Sequence, residues 1–183
     1  MVFDYMPMTL SAIIKQVGGK HPNYLDIKLY TWQLFNGLMF LFHSHICHRD
    51  IKPQNLLVEP AIGNLKIADF GSAKIIKGNV QSTSYQVTRF YRPPELLLDA
   101  TFYSSYMIDQ ILDVWSGGCV YGEMLRGGVL FPGRDTNHQL KLIVDTLGTP
   151  CDDELKDMAA NTRIEGTQSA PRGFRSVRSY SPI

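Results

Sequence analysis

A segment of eight residues, His48 to Asn55, carries side chains that could act on hydroxyl groups and phosphates. Asp50 is a carboxylate that can accept or orient the proton of a hydroxyl group, and Lys52 can neutralise charge on a phosphoryl group. Asn55 and Asp69, the latter 19 residues after Asp50, supply hard oxygen ligands of the kind that Mg²⁺ prefers. The residue types therefore predict a site in which a base, a cation and metal ligands act together.

The order of the surrounding motifs is also informative. His48 to Asn55 fits the pattern H-R-D-x-K-x-x-N, whose five fixed positions would occur by chance in such a chain with a probability of about 10⁻⁴. Asp69-Phe70-Gly71 follows, then Glu95 in Pro-Pro-Glu and Asp113 in Asp-Val-Trp. In this order and spacing the chain resembles the eukaryotic protein kinases.

Two longer segments narrow the resemblance to one branch of the CMGC kinases. Cys47–Leu57 and Asp69–Lys74 are similar to the glycogen synthase kinase 3, or shaggy-type, branch. Three shorter motifs are similar as well: Tyr30-x-x-Gln33-Leu34-Phe35, Phe131-Pro132-Gly133 and Leu147-Gly148-Thr149-Pro150. The last two are shared with cyclin-dependent and mitogen-activated kinases, and Pro93 stands where the shaggy branch usually has Ala. The resemblance covers about residues 2 to 158.

The resemblance implies an ATP- and Mg²⁺-dependent enzyme that phosphorylates serine and threonine residues of proteins in signalling. Asp50 would be the catalytic base and Lys52 the partner of the transferred phosphate, with Asn55 and Asp69 as the Mg²⁺ ligands.

The resemblance also implies a nucleotide site. Asp4 and Met6 would be hinge residues that meet the adenine through backbone groups, and Leu57 would pack under the adenine ring.

Two further groups match positions that the family uses for phosphates. Arg49 and Lys74 match two of the three basic residues that hold the phosphate of a pre-phosphorylated, or primed, substrate; the alternative is a solvated loop face. Tyr85, sixteen residues after Asp69, matches the activation-loop phosphotyrosine, with an ordinary loop tyrosine as the alternative.

A cluster of His43, His45, Cys47 and His48 raises the alternative of a metal site. The spacing does not match a structural zinc site, and no second cluster follows downstream. We therefore favour the kinase interpretation of this region.

Composition limits the possible partners and the location. The net charge of +1 gives no reason to expect nucleic-acid or anionic-membrane binding. The longest apolar run, Leu38 to Phe42, is far shorter than the roughly 18 residues of a membrane span. No secretory leader is recognisable at Met1, and three scattered cysteines argue against a disulfide framework. We expect a reduced protein in the cytoplasm or nucleus, with protein substrates and no nucleic-acid or membrane partner.

The hydrophobic pattern predicts a mostly helical α+β fold, that of the large C-terminal lobe of a protein kinase, with short strands around the catalytic loop. Leu25 to His45 is apolar nearly all round and predicts a helix buried on most sides. The other predicted elements are strands at Met1–Phe3, Leu56–Val58 and Leu65–Ala68, a long polar loop over 71–92, and helices at Val114–Leu125 and Gln139–Leu147.

We expect residues 1–165 to form a partial kinase domain, from the hinge to the helix G region, and residues 166–183 to form a disordered tail rich in Ser, Arg and Pro. No Gly-rich loop or small-lobe lysine precedes Met1, so we expect feeble phosphate transfer by this chain alone. The alternative function is a non-catalytic decoy that binds scaffold proteins through the helix at 139–147. About five residues near Tyr106–Gln110 are extra relative to the shaggy branch.

Overall fold

Helices make up most of the regular structure. The computed structural model describes residues 4–19, 22–76, 88–98 and 108–151, with the backbone alone for 108–111. The helices are α1 (Leu10–Gln16), α2 (Tyr24–His43), α3 (Pro94–Leu97), α4 (Ile108–Arg126) and α5 (Thr136–Leu147). The strands are β1 (Met8–Thr9), β2 (Ile46–Cys47), β3 (Leu56–Glu59), β4 (Asn64–Ile67) and β5 (Lys74–Ile75). The predicted fold class, mostly α with a few short antiparallel strands, is confirmed.

The core lies between α2 and its neighbours. Residues of α2 at helical spacing are buried on one face: Ile27, Tyr30, Leu34, Leu38 and Leu41. Helix α4 approaches this face closely, because a Cβ at Gly117 would lie only 3.1 Å from Leu38 Cδ1. The prediction of a helix buried on most sides is wrong for the outer face, where the Trp32 side chain is 67% exposed and Met39 and Phe40 are also exposed.

A three-stranded antiparallel sheet with the order β1-β3-β4 packs against α2. In the β3–β4 hairpin Leu56 pairs with Ile67, and Ala68 N–H donates to Asn55 O at 2.9 Å. The side chain of Gln33 in α2 binds the turn between β3 and β4 through two hydrogen bonds. Its Nε2 donates to Gly63 O at 2.8 Å, and its Oε1 accepts from Leu65 N–H at 2.9 Å. The hairpin therefore brings Asn55 and Asp69 to the same end.

Strands β2 and β5 form a separate antiparallel pair. Ile46 pairs with Ile75 and Cys47 pairs with Lys74. This pairing sets the chain after Asp69 beside the start of the catalytic loop, His48 to Asn55.

Several predicted boundaries need correction. Helix α4 begins at Ile108 instead of Val114, and the predicted 71–92 loop contains β5 and two 3₁₀ turns, Phe70–Ser72 and Arg89–Tyr91. Helices α1 and α3 were not predicted. The predictions for Met1–Phe3, Tyr85 and the 166–183 tail lie outside the described residues, as does the part of the proposed insertion before Ile108. None of the described helices is long and apolar enough to cross a membrane.

Candidate active site

A buried carboxylate anchors the start of the predicted catalytic loop, His48 to Asn55, to α4. Asp113, in the described part of α4, accepts hydrogen bonds from His48 N–H at 2.6 Å and from Arg49 N–H at 2.9 Å. Burial raises the pKa of Asp113, an effect opposed by the hydrogen bonds from these two amides. Arg49 adopts a left-handed backbone with φ 66°, which costs a non-glycine residue energy that the surrounding contacts must offset.

Asp50 lies at the centre of a dense hydrogen-bond network. Lys52 Nζ pairs with Asp50 Oδ2 at 2.7 Å, and Asn55 Nδ2 donates to the same oxygen and to Asp50 O, both at 2.9 Å. Thr88 Oγ1 donates to Asp50 Oδ1 at 3.2 Å. The Asp50 side chain keeps 14% of its surface exposed, so the carboxylate is held in one orientation yet remains accessible.

Thr88 is a site residue that the sequence interpretation missed. Its Oγ1 donates to Asp50 and lies 3.5 Å from Lys52 Nζ, although 38 residues separate it from Asp50. A single threonine at the end of a polar loop has no periodicity or motif signal, so only the tertiary fold reveals it.

His48 connects the catalytic loop to the Asp69 segment. Its ring is fully buried, Nε2 lies 3.0 Å from Ala68 O, and Asp50 N–H lies 3.3 Å from Nδ1. Because the Asp50 amide can only donate, Nδ1 accepts and Nε2 carries the hydrogen that Ala68 O accepts. The ring also makes an edge contact with Phe70, at 4.8 Å between centroids. Through its contacts with Ala68 and Phe70, His48 connects its own motif to the Asp69-Phe70-Gly71 motif.

Asn55 and Asp69 suit a magnesium ion whose remaining ligands are phosphates and water. Because Asn55 uses Nδ2 on Asp50, its amide oxygen is the atom left to face a cation. Asp69 is exposed, has φ 64° and accepts a hydrogen bond from Gly71 N–H at 3.3 Å. Mg²⁺ in nucleotide sites commonly uses only one or two protein oxygens, so this donor set fits. No group of three His, Cys, Asp or Glu side chains in the described segments is arranged to hold a metal.

The predicted substrate-phosphate residues lie on neighbouring segments. Arg49 Nε donates to Ser72 O at 2.6 Å, and Lys74 pairs with Cys47 across β2 and β5. Both side chains are partly exposed. The structure therefore brings their segments together at the edge of the catalytic loop, while Tyr85 lies outside the described residues.

The predicted nucleotide residues lie around β1. Thr9 of β1 pairs with Leu57 of β3, and Leu57 occupies the less buried face of that strand. Asp4 and Met6 come directly before β1, with Asp4 exposed and Met6 partly exposed. Their roles in nucleotide binding remain predictions.

The fold and the geometry of this site can now be compared with known classes of protein. Residues 1–170 match the family described as protein kinase domain, and the chain belongs to that family. The curated relatives narrow the class to glycogen synthase kinase 3-type kinases, as the motifs predicted.

Three relatives illustrate the similarity. Serine/threonine-protein kinase RIM11/MSD1 of Saccharomyces cerevisiae is 43% identical over 164 residues, which are 88% of this chain and 43% of the relative. Glycogen synthase kinase 1 of Pyricularia oryzae is 47% identical over 75% of this chain and 34% of its own length. Protein kinase gsk3 of Schizosaccharomyces pombe is 43% identical over 88% of this chain and 41% of its own length. The chain therefore spans less than half the length of these curated relatives.

Proposed function

We propose that the protein transfers the terminal phosphate of ATP to serine or threonine hydroxyls of protein substrates. The observation that carries this proposal is the Asp50 network, in which Lys52, Asn55 and Thr88 all contact one accessible carboxylate. Membership of the protein kinase family and the similarity to named serine/threonine kinases support it.

The residues have distinct tasks in this proposal. Asp50 orients the substrate hydroxyl and accepts its proton, while Lys52 neutralises charge on the phosphoryl group as it moves. Asn55 and Asp69 would hold the magnesium ion that balances the phosphate charge of ATP when it is bound. Thr88 keeps the second oxygen of Asp50 in place.

In this proposal the nucleotide and substrate contacts are those that the family resemblance implies. Asp4 and Met6 would meet the adenine through their backbone, and Leu57 would lie under the ring. Arg49 and Lys74 would bind the phosphate of a primed substrate, since a guanidinium and an ammonium together suit a dianion. Phosphorylation of Tyr85 would regulate the site.

A phosphate-transfer assay tests the proposal. The longest native polypeptide that contains this chain is incubated with magnesium, γ-labelled ATP, and peptides with or without a priming phosphoserine. We expect Asp50→Asn to lower kcat by about a hundredfold or more. Arg49→Ala should raise the KM for the primed peptide and leave the KM for the unprimed peptide unchanged. Asp145→Asn, at an exposed ion pair on α5, is the matched control and should leave activity unchanged. Full activity of Asp50→Asn would contradict the proposal.

A second candidate function is scaffold binding through α5. Leu147 at the end of this helix is exposed, as is the ion pair between Lys141 and Asp145, so the helix presents both apolar and charged contacts. Capture of a scaffold peptide that survives Asp50→Asn but is lost with Leu147→Asp would favour a non-catalytic decoy. Capture that requires intact ATP turnover would argue against it.

A further inference from the structure

Gln139 of α5 is a buried polar side chain with both of its amide atoms in use. It is 0% exposed. Its Oε1 accepts from Gly133 N–H at 3.0 Å, and its Nε2 donates to Phe90 O at 3.4 Å. The orientation of the amide follows from its partners, because Gly133 N–H can only donate and Phe90 O can only accept.

The packing around Gln139 allows little movement. A Cβ at Gly133 would lie 2.6 Å from Gln139 Cα and 2.7 Å from its Cβ, which real side chains essentially never do. Glycine is therefore required at the end of the Phe131-Pro132-Gly133 motif. The Gln139 side chain is held against this turn and directed from it toward Phe90.

Phe90 belongs to the 3₁₀ turn that carries Thr88 at its start. Tyr91 N–H donates to Thr88 O at 3.0 Å, so one hydrogen-bonded turn contains both Thr88 and Phe90. Helix α4 holds its other side, because Ser116 Oγ donates to Tyr91 O at 2.8 Å. The Phe90 carbonyl is thus the point where α5 contacts the turn that delivers Thr88 to Asp50.

We propose that Gln139 is a positioning residue for Asp50, acting through the Phe90 carbonyl and Thr88. The hydrogen bond from α5 sets the place of the 3₁₀ turn, and the turn sets the distance between Thr88 Oγ1 and Asp50 Oδ1, which is 3.2 Å. The role of this chain of contacts in catalysis rests on the proposed function. The positioning of Thr88 by Gln139 does not depend on that function.

Amide hydrogen exchange on the full chain tests the positioning independently of activity. Gln139→Met keeps the length of the side chain but removes both hydrogen bonds, so we expect at least about tenfold faster exchange at Tyr91 N–H and Gly133 N–H. Gln139→Glu keeps an acceptor for Gly133 but loses the donor to Phe90. It should speed exchange at Tyr91 while Gly133 stays protected, and it serves as the second variant if Gln139→Met does not fold.

Asn137→Ala provides the matched control, because Asn137 is an exposed amide on the same helix. It should leave both exchange rates within about twofold of the parent chain. The proposal would be overturned if exchange at Tyr91 N–H stayed within about twofold of the parent in both Gln139 variants while Gln139→Met sped exchange at Gly133 N–H, since Gln139 would then only hold the 131–133 turn.

A double-mutant cycle with Thr88→Val tests the catalytic part in the longest active polypeptide. We expect Gln139→Met to lower kcat by about ten- to a hundredfold with KM for ATP unchanged. The double variant should be no slower than Thr88→Val alone, because both changes break one chain of contacts. Additive losses would overturn the link between Gln139 and Thr88. An inactive parent polypeptide would instead overturn the proposed function and the catalytic role, and the exchange rates would still decide the positioning.

Discussion

At the scale of single residues, the Asp113 side chain holds the first two amides of the predicted catalytic loop. Its two oxygens accept from His48 N–H and Arg49 N–H, and Arg49 has the left-handed φ of 66°. Without these acceptors, one buried and one partly buried amide would lose their partners, and the unfavourable backbone of Arg49 would lose its support. Asp50 follows directly, so its direction depends on this contact.

The change Asp113→Asn tests this dependence. An asparagine offers one oxygen and one NH₂ group, so one of the two loop amides faces a donor. We expect a loss of about 1–3 kcal/mol in the free energy of unfolding, measured by urea denaturation followed by circular dichroism. Asp145→Asn, on the surface, should lower the free energy of unfolding by less than about 0.5 kcal/mol. Equal losses for the two variants would show that Asp113 contributes no more than a surface ion pair.

At the scale of elements, α2 contributes one buried face to the hydrophobic core. Leu34 is 0% exposed and packs in the core, whereas Leu25 on the same helix is 69% exposed. The same residue type thus occupies two different environments nine positions apart.

Leu34→Ala should therefore destabilise the protein by about 2–5 kcal/mol, because it removes buried methyl groups and leaves a cavity. Leu25→Ala is the matched control and should change the free energy of unfolding by about 0.5 kcal/mol or less. Thermal and urea denaturation of the two variants measure the difference. Similar losses in both would mean that the outer face of α2 is covered in solution.

The elements also show what a sequence can and cannot predict. Helix α2 and the two strands β3 and β4 were predicted because a long apolar run and short apolar runs separated by turn residues such as Gly63-Asn64 are strong local signals. Helix α1 was missed although Thr9 caps it and apolar residues recur at Leu10 and Ile14, a signal that was available. Strands β2 and β5 have two residues each and no period, so only their pairing creates them.

The residues of the candidate site likewise include some that the sequence predicts and some that it does not. Asp50, Lys52 and Asn55 lie within one short motif, so the sequence predicts their association, and the structure brings them together. Thr88 and Gln139 contribute through long-range contacts that no local pattern encodes. Asp113 was part of a recognised motif, but its role as acceptor for two loop amides depends on the packing of α4 against β2.

At the scale of the whole molecule, α4 carries a buried group of ionisable side chains. Tyr91 Oη donates to Glu123 Oε2 at 2.8 Å, and burial is the largest cause that raises the pKa of each of these two groups. Burial, with a smaller effect of Glu123, also raises the pKa of the Cys119 thiol from 9.0 to about 12.

This burial predicts a loss of stability in alkali. Below pH 9 the Cys119 thiol is protonated in both the folded and the unfolded chain. Above it the unfolded chain loses the proton first, so the free energy of unfolding falls until the folded pKa of about 12 is reached. We expect the loss in the free energy of unfolding from pH 8 to pH 11, measured by urea denaturation, to be smaller by about 3 kcal/mol in Cys119→Ala than in the parent. Parallel pH profiles for the two chains would contradict this assignment.

The arrangement of α4 also has a consequence for how the protein responds to heat. The helix that packs against α2 in the core is the same helix whose Asp113 and Ser116 anchor the predicted catalytic loop and the Thr88 turn. We therefore expect Asp50 and Thr88 to show no melting transition separate from that of the interior. If the site and the core form one cooperative unit, warming should abolish the geometry of the predicted site and the global structure together.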